Sequence, residues 1–108
     1  MPPEQTIRII RNQDLTLVCS MAPPQDVTGW SIEFSVYTAL GGSRIIDKTV
    51  GAGITITDAG KGVISIALAK TDTSSQAVQD YVWAIKRVDS GNYVVLARGQ
   101  LVLEQEVF

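Results

Sequence analysis

The chain has 108 residues, a net charge of −2 and no histidine; 45% of its residues are hydrophobic and 19% are charged. This composition is that of one globular domain rather than a disordered chain, and the acidic balance provides no general attraction for nucleic acid. Without histidine, Ser-His-Asp and Cys-His catalysis and the common histidine metal sites are excluded. One cysteine, Cys19, excludes an intrachain disulfide and cysteine-ligated zinc or iron–sulfur centres.

The two ends of the chain are predicted to be short arms. Residues 1–5 lack the basic and apolar regions of a signal peptide, and no apolar run approaches the ~20 residues that span a bilayer. We therefore expect a single soluble domain over residues 1–108, with arms at 1–5 and 105–108.

The first half of the chain predicts short strands separated by turns. Gln5–Arg11 and the alternating segment Leu15–Ser20 flank a polar turn, and a proline-containing loop follows over 21–29. In the next segment apolar and polar residues alternate, which predicts a strand with one apolar and one polar face. The apolar residues are Trp30, Ile32, Phe34 and Val36. Arg44–Val50 carries several charges, which predicts a strand at the edge of a sheet.

The second half predicts two hairpins. Ile54–Thr57 and Val63–Ala69 flank a glycine-containing turn, and 70–79 is the one window that suits a helical turn. The segment from Asp80 to Val88 and the segment that follows the turn Asp-Ser-Gly-Asn form the last hairpin. Gly99 interrupts its return strand, where a bulge or kink is expected.

Seven or eight short strands between turns are typical of an all-β sandwich or a small barrel. We favour a single immunoglobulin-like antiparallel β-sandwich, because the strands with tryptophan look central and the charged strand looks peripheral. The Cys-Trp-Cys spacing of antibody domains is absent, so the likeness is one of architecture. The predicted core contains Trp30, Phe34, Ile66, Trp83 and Ile85.

No motif of the chain predicts a catalytic, cofactor or metal site. Gly60-Lys61-Gly62 lacks the spacing and the following helix of a phosphate loop, so it is interpreted as a hairpin turn. Asp58, Asp72, Asp80 and Asp89 each stand at a turn or strand end, where aspartate bonds nearby backbone amides. We expect no enzyme activity, no cofactor and no bound metal.

Two further groups of residues are candidate contacts. Glu104 and Glu106 share one face of the last strand, and with Val107 and Phe108 they form an apolar chain end predicted to be an assembly contact. Exposed tyrosines on a β-surface can bind sugars, and the candidates are Tyr37, Tyr81 and Tyr93.

The order of several segments is similar to that of a family of bacteriophage domains. The segments are the turn Thr55–Ile64, the pattern Tyr81-x-Trp83-x-Ile85, the turn Val88–Asn92 and the return strand with Leu96, Gly99, Leu101, Leu103, Glu106 and Val107. They resemble immunoglobulin-like domains of tailed-phage structural proteins, including the N-terminal domain of baseplate upper proteins. A threonine-rich link, here Thr71–Ser75, precedes the Tyr-led strand in that family.

The resemblance implies a non-enzymatic structural protein of a tailed-phage virion, in capsid decoration, the neck, or the tail and baseplate. It implies assembly in the bacterial host cytoplasm, with repeated copies or a homo-oligomer and other virion proteins as partners. Neither nucleic acid nor a membrane is expected as a partner. The alternative from another class is a carbohydrate-binding module that uses exposed tyrosines.

Overall fold

The computed structural model describes residues 6–21, 25–39, 41–89, 91 and 93–105. These residues form eight strands and one helical turn. The elements are β1 (Ile7–Ile10), β2 (Leu15–Ser20), β3 (Ile32–Tyr37), β4 (Arg44–Val50), β5 (Gly53–Asp58), β6 (Val63–Leu68), α1 (Lys70–Thr73), β7 (Asp80–Arg87) and β8 (Val94–Glu104). No helix in the described part of the chain is long and apolar enough to span a membrane.

All eight strands belong to one sheet, in the order β1-β8-β7-β3-β4-β5-β6-β2. The sheet curls into a nearly closed barrel, and its two edge strands, β1 and β2, are joined by the turn over residues 11–14. The all-β prediction is confirmed. The predicted immunoglobulin-like sandwich of two sheets is not confirmed, because one sheet that curls on itself encloses the core.

The sheet is not wholly antiparallel either. β1 pairs with β8 in parallel, and β4 pairs with β5 in parallel around a tight corner at Gly51-Ala52. Gly51 and Gly53 have φ angles of 87° and 106°, which only glycine adopts without strain. This corner therefore allows β4 and β5 to pair in parallel although no crossover connection lies between them.

Two local predictions about the strands are corrected by their position in the sheet. β4 lies between β3 and β5 rather than at an edge. Its charged residues are tolerated there because each has an opposite charge beside it. Arg44 and Asp47 pair on the outer face at 3.3 Å, whereas Lys48 stands opposite Phe34 and pairs with Asp72 at 2.9 Å. Gly99 pairs regularly with Trp83, and the bulge of the last hairpin lies between Ile85 and Lys86. The two predicted hairpins, β5–β6 and β7–β8, are confirmed.

The core fills the inside of the curled sheet. Of the residues predicted to lie there, four are at most 4% exposed: Phe34, Ile66, Trp83 and Ile85. The rings of Phe34 and Trp83 stack with their centroids 6.2 Å apart. Burial of such apolar surface is the main stabilising contribution to a domain of this size.

Trp30 is only partly buried, although its spacing predicted a core position. It precedes β3 and lies in a turn, where its backbone N–H donates to the carbonyl of Val27 at 3.1 Å. Its ring packs against the edge of the core, and the guanidinium of Arg87 lies 4.0 Å from the ring centroid. Trp30 is thus a cover over the end of the barrel, held by a cation–π contact.

The single helical turn α1 closes the barrel near the β1–β2 turn. The Asp72 carboxylate accepts a hydrogen bond from the Ala69 N–H at 2.7 Å and forms an ion pair with Lys48 at 2.9 Å. The N–H of Asn12 donates to the Thr73 hydroxyl at 3.0 Å. These contacts hold α1 against both β4 and the β1–β2 turn.

Candidate interaction surface on the outer face of the sheet

The polar face of β3 carries the largest cluster of charged side chains in the described part of the chain. Side chains alternate along a strand, so Glu33, Ser35 and Tyr37 point outward while Phe34 and Val36 point into the core. The register places Glu33 opposite a lysine of β7, and it places Tyr37 opposite an arginine of β4. We call these outward residues of β3, with Arg44, Asp47 and Lys86, the outer-face cluster.

Lys86 is the centre of the outer-face cluster and is only 5% exposed. Its ammonium donates to the hydroxyl of Tyr37 at 2.7 Å, lies 3.3 Å from a carboxylate oxygen of Glu33, and is 3.4 Å from the hydroxyl of Tyr93. The same ammonium lies 5.3 Å from the centroid of the Tyr37 ring. A buried lysine of this kind is stable only because several acceptors replace its water shell.

Arg44 covers the other side of the cluster. Its guanidinium lies 3.4 Å from Glu33 and 3.3 Å from Asp47, and it donates to the Tyr37 hydroxyl at 3.4 Å. The hydroxyl of Ser35, which is fully buried, donates to Glu33 at 3.0 Å. The two cations and two carboxylates of the cluster therefore form ion pairs with one another.

These contacts shift the pKa values of Glu33 and Lys86. Burial by itself raises the pKa of Glu33, but hydrogen bonds from Ser35 and Lys86 and the charge of Arg44 outweigh it, so this pKa is lowered. Burial by itself lowers the pKa of Lys86, yet hydrogen bonds to Tyr37, Tyr93 and Glu33 raise it overall. Both groups are held in their charged forms near neutral pH.

The pKa of Tyr37 is shifted as well. Burial by itself raises its pKa, but hydrogen bonds from Lys86, Ser35 and Arg44 lower it overall. The cluster therefore favours an ionised phenol more than water does. The cluster holds no histidine or cysteine that could act as a base or nucleophile near neutral pH, and its charged groups are mutually neutralised.

An open groove of about 600 Å³ lies beside the outer-face cluster, over β7 and β8. Its walls include Thr38, Ala39, Val82 and Gln100. Within this lining, the Gln100 amide donates to the carboxylate of Asp80 at 2.7 Å. The groove is a shallow surface depression with a mixed polar and apolar lining.

The three tyrosines predicted as a sugar platform are not brought together on one exposed plane. Tyr81 is 2% exposed, and its hydroxyl donates to the carbonyl of Ala77 at 2.6 Å. Tyr37 is half-buried, with cations over its ring. Tyr93 is 71% exposed. The arrangement does not favour a stack of rings against a sugar, which needs free aromatic faces.

The four aspartates interpreted as turn residues all accept hydrogen bonds, but Asp80 does so from a side chain of β8 and not from a nearby backbone amide. Asp58 accepts from the backbone N–H of Lys61 at 3.3 Å, and Asp89 accepts from Arg87 at 2.7 Å and from the N–H of Ser31. Asp72 caps α1 and Asp80 accepts from Gln100. No group of three acidic, cysteine or histidine residues in the described ranges is arranged to hold a metal ion.

Of the predicted assembly contacts, Glu104 lies at the end of β8. Glu104 is exposed; its carboxylate lies 4.0 Å from Arg8, and its carbonyl accepts from the N–H of Arg11 at 3.1 Å. The other three candidates, Glu106, Val107 and Phe108, lie outside the described residues. Cys19 is half-buried, and burial raises the pKa of its thiol, which opposes the thiolate form.

The sequence interpretation missed the outer-face cluster. One signal was present: Lys86 directly follows the strongly apolar segment Tyr81–Ile85, and Glu33 and Tyr37 occupy the polar face of another strand. A lysine whose ammonium is buried needs acceptors from neighbouring strands in place of water. The sequence does not reveal which strand is that neighbour, so the pairing required the structure.

The similarity of this chain to a known protein is visible in the structure and not in the sequence. No protein-family profile and no curated protein sequence matches the chain. Among solved structures, the N-terminal domain of phage TP901-1 ORF48 is similar over 96% of this chain and 90% of that one, with a TM-score of 0.59 and 12% sequence identity. The chain has the fold of a phage protein domain. At this identity the likeness concerns the fold, and no site residue is transferred.

Proposed function

We propose that this chain is a non-enzymatic structural protein of a tailed-phage virion that acts through protein–protein contacts. The observation that carries the proposal is the likeness to a phage domain over nearly the whole length of both chains. It agrees with the sequence resemblance to phage structural domains, including those of baseplate upper proteins. Since a fold can host several functions, the proposal needs a direct test.

The surface chemistry supports an interaction role rather than a catalytic one. The charged groups of the outer-face cluster are neutralised by their own neighbours, so they stiffen the sheet instead of presenting a reactive group. The edges of the nearly closed sheet still carry backbone groups that another protein can bind. We therefore propose that the partner contacts are made by the edges and by the C-terminal arm over residues 105–108.

The role in particles is tested by composition. Virions released from the strain that carries the gene are purified on a density gradient, and their proteins are identified by mass spectrometry, with capsids and tails separated. The expected result is that this chain co-purifies with particles in a constant ratio to another virion protein. Its absence from infectious particles contradicts the proposal.

The arm is tested by deleting Gln105–Phe108 and measuring the copy number of the chain in particles. Burying one valine and one phenylalanine contributes about 1.5–3 kcal/mol each, which is multiplied over repeated contacts. We expect the truncated chain to fold with an unchanged circular dichroism spectrum but to be depleted from particles. Incorporation at the wild-type level shows that the arm is not an assembly contact.

A further inference from the structure

β2 is an edge strand, and in the described part of the chain one row of its backbone groups has no neighbouring strand to pair with. It pairs with β6 alone, and the ladder continues beyond its end through the N–H of Met21, which donates to the carbonyl of Gly62 at 3.1 Å. In an antiparallel ladder the backbone groups of successive residues point to opposite sides. The residues at odd numbers in β2 therefore bond to β6, and the backbone N–H and C=O groups of Thr16, Val18 and Ser20 point away from it.

Among the strands that the structure describes, none covers the edge of β2 opposite β6. The other edge strand, β1, is not paired with it, and the two strands do not lie in close contact along their lengths. The side chain of Val18 is 66% exposed, and Thr16 and Ser20 are exposed on the same face. The inward residues of this strand, including Leu17 and Cys19, are only partly buried. Part of the apolar side of β2 thus remains accessible.

β2 lacks the features that normally keep a sheet edge from pairing with another chain. Its sequence, Leu-Thr-Leu-Val-Cys-Ser, contains no charge, proline or glycine, and its ladder with β6 runs without a bulge. Edge strands are usually protected by such residues or by a bulge. The other edge shows the contrast, because β1 is shorter and carries Arg8 beside Glu104.

We propose that β2 is a dimerisation edge: it pairs antiparallel with β2 of a second copy of this chain, around a two-fold axis at Val18. The inference rests on the strand alone and does not depend on the proposed virion role. With Val18 opposite its counterpart, Thr16 faces Ser20 and Leu17 faces Cys19 of the other copy. In this register all three residues whose backbone groups point away from β6 bond to the other copy, which gives about six hydrogen bonds between the two strands. A register shifted by two residues gives about four.

A second copy is the partner that the chemistry of the edge favours. Every cross-strand pair in this register is neutral: valine with valine, threonine with serine, and leucine with cysteine. Hydroxyl and β-branched pairs of this kind stabilise adjacent strands, and no charge is placed opposite an uncharged group. The contact is isologous, so it closes at two copies. Because the strand is short, the interface is small and the affinity is expected in the micromolar range or weaker.

The test is sedimentation velocity of the purified chain from about 1 μM to about 1 mM, a range that brackets a weak dimer. We expect a concentration-dependent shift from monomer to dimer. A wild-type chain that remains monomeric at the highest concentration overturns the proposal. Growth beyond the dimer also contradicts it, because the β2 contact is closed by its symmetry.

Variants assign the dimer to β2. Val18→Lys places two like charges at the two-fold axis and should weaken the dimer at least about tenfold, since facing like charges destabilise a strand pair. The matched control is Val94→Lys, because Val94 is 49% exposed and lies at the start of β8. Dimerisation of Val18→Lys at the wild-type concentration shows that another face is used.

Two further variants keep the test independent of folding. An equimolar mixture of Val18→Lys and Val18→Glu should regain dimers, because the facing charges then attract; failure to regain them counts against the register. Val18→Pro removes one outward N–H without removing a hydrogen bond to β6. It should melt like the other variants and remain monomeric, and a dimeric Val18→Pro contradicts the pairing.

Discussion

The inner and outer faces of β3 and β7 are both covered, but by different physical means. Inside, Phe34 and Trp83 exclude water through apolar contact. Outside, Ser35 and Lys86 are just as inaccessible, although their groups are polar. The outer face is stabilised by compensation: each charge stands beside an opposite one. The lesson is that a polar face in an alternating strand need not be a solvated face.

The largest effect is expected when the inner face is broken. Trp83→Ala removes a buried ring that stacks on Phe34, and it should cost about 3–5 kcal/mol, a large share of the stability of a small domain. Urea unfolding followed by circular dichroism measures this. The matched change, Trp30→Ala, should cost clearly less because Trp30 is partly buried. Equal losses at the two tryptophans would show that exposure does not separate them.

A smaller but definite effect is expected when the outer face is broken. Lys86→Met keeps the aliphatic stem but removes the ammonium that contacts Glu33 and Tyr37. Lost hydrogen bonds to a charged group cost about 1.5–3 kcal/mol, and Glu33 keeps its contact with Arg44. The free energy of unfolding in urea measures the loss, with the exposed Lys61→Met as control. A Lys86→Met variant as stable as this control would show that the cluster contributes nothing.

Two tyrosines report the difference between the faces without a large change in stability. Burial raises the pKa of Tyr81 inside, while hydrogen bonds from Lys86, Ser35 and Arg44 outweigh burial and lower the pKa of Tyr37 outside, from a common ordinary value of 10.0. Near that pH and above it, unfolding releases a proton from Tyr81, so its contribution to stability is lost as pH rises. Tyr37 acts in the opposite sense, and its contribution increases as pH rises through its lowered pKa.

The measurement is the pH titration of each ring carbon signal in NMR spectra. Tyr37 should ionise at a lower pH than Tyr81, and Lys86→Met should raise the pKa of Tyr37 while leaving that of Tyr81 unchanged. If Tyr37 titrates after Tyr81, the hydrogen bonds of the outer-face cluster do not dominate its acidity.

The smallest effect is expected for metal ions, which should leave the stability of the chain unchanged. The carboxylates of Glu33 and Asp47 already accept from Arg44 and Ser35, so the outer face offers no free pair of oxygens to a cation. Adding calcium or zinc, or removing either with a chelator, should leave the melting temperature unchanged. A reproducible rise with one of these ions would reveal a site that binds the folded state, because such binding must stabilise it.

Much of the fold could be predicted because its signals are local. The alternation around Phe34 and Trp83, and the turns at 58–62 and 88–92, predict the strands and the two hairpins that the structure contains. The site could not be predicted in the same way. Lys86 and Glu33 are 53 positions apart in the chain, and they meet because β3 and β7 are neighbours in the sheet.

The sequence by itself determined that the chain is all-β, which side chains share a face, and that histidine and a second cysteine are missing, since these follow from residue type and a two-residue period. The tertiary structure alone decided that eight strands form one curled sheet, that β4 is internal, and that Trp30 covers an end of the barrel. It also decided that, among the described strands, β2 pairs with β6 alone. The physical reason is that alternation sets where a side chain points, while long-range strand pairing sets what lies there to meet it.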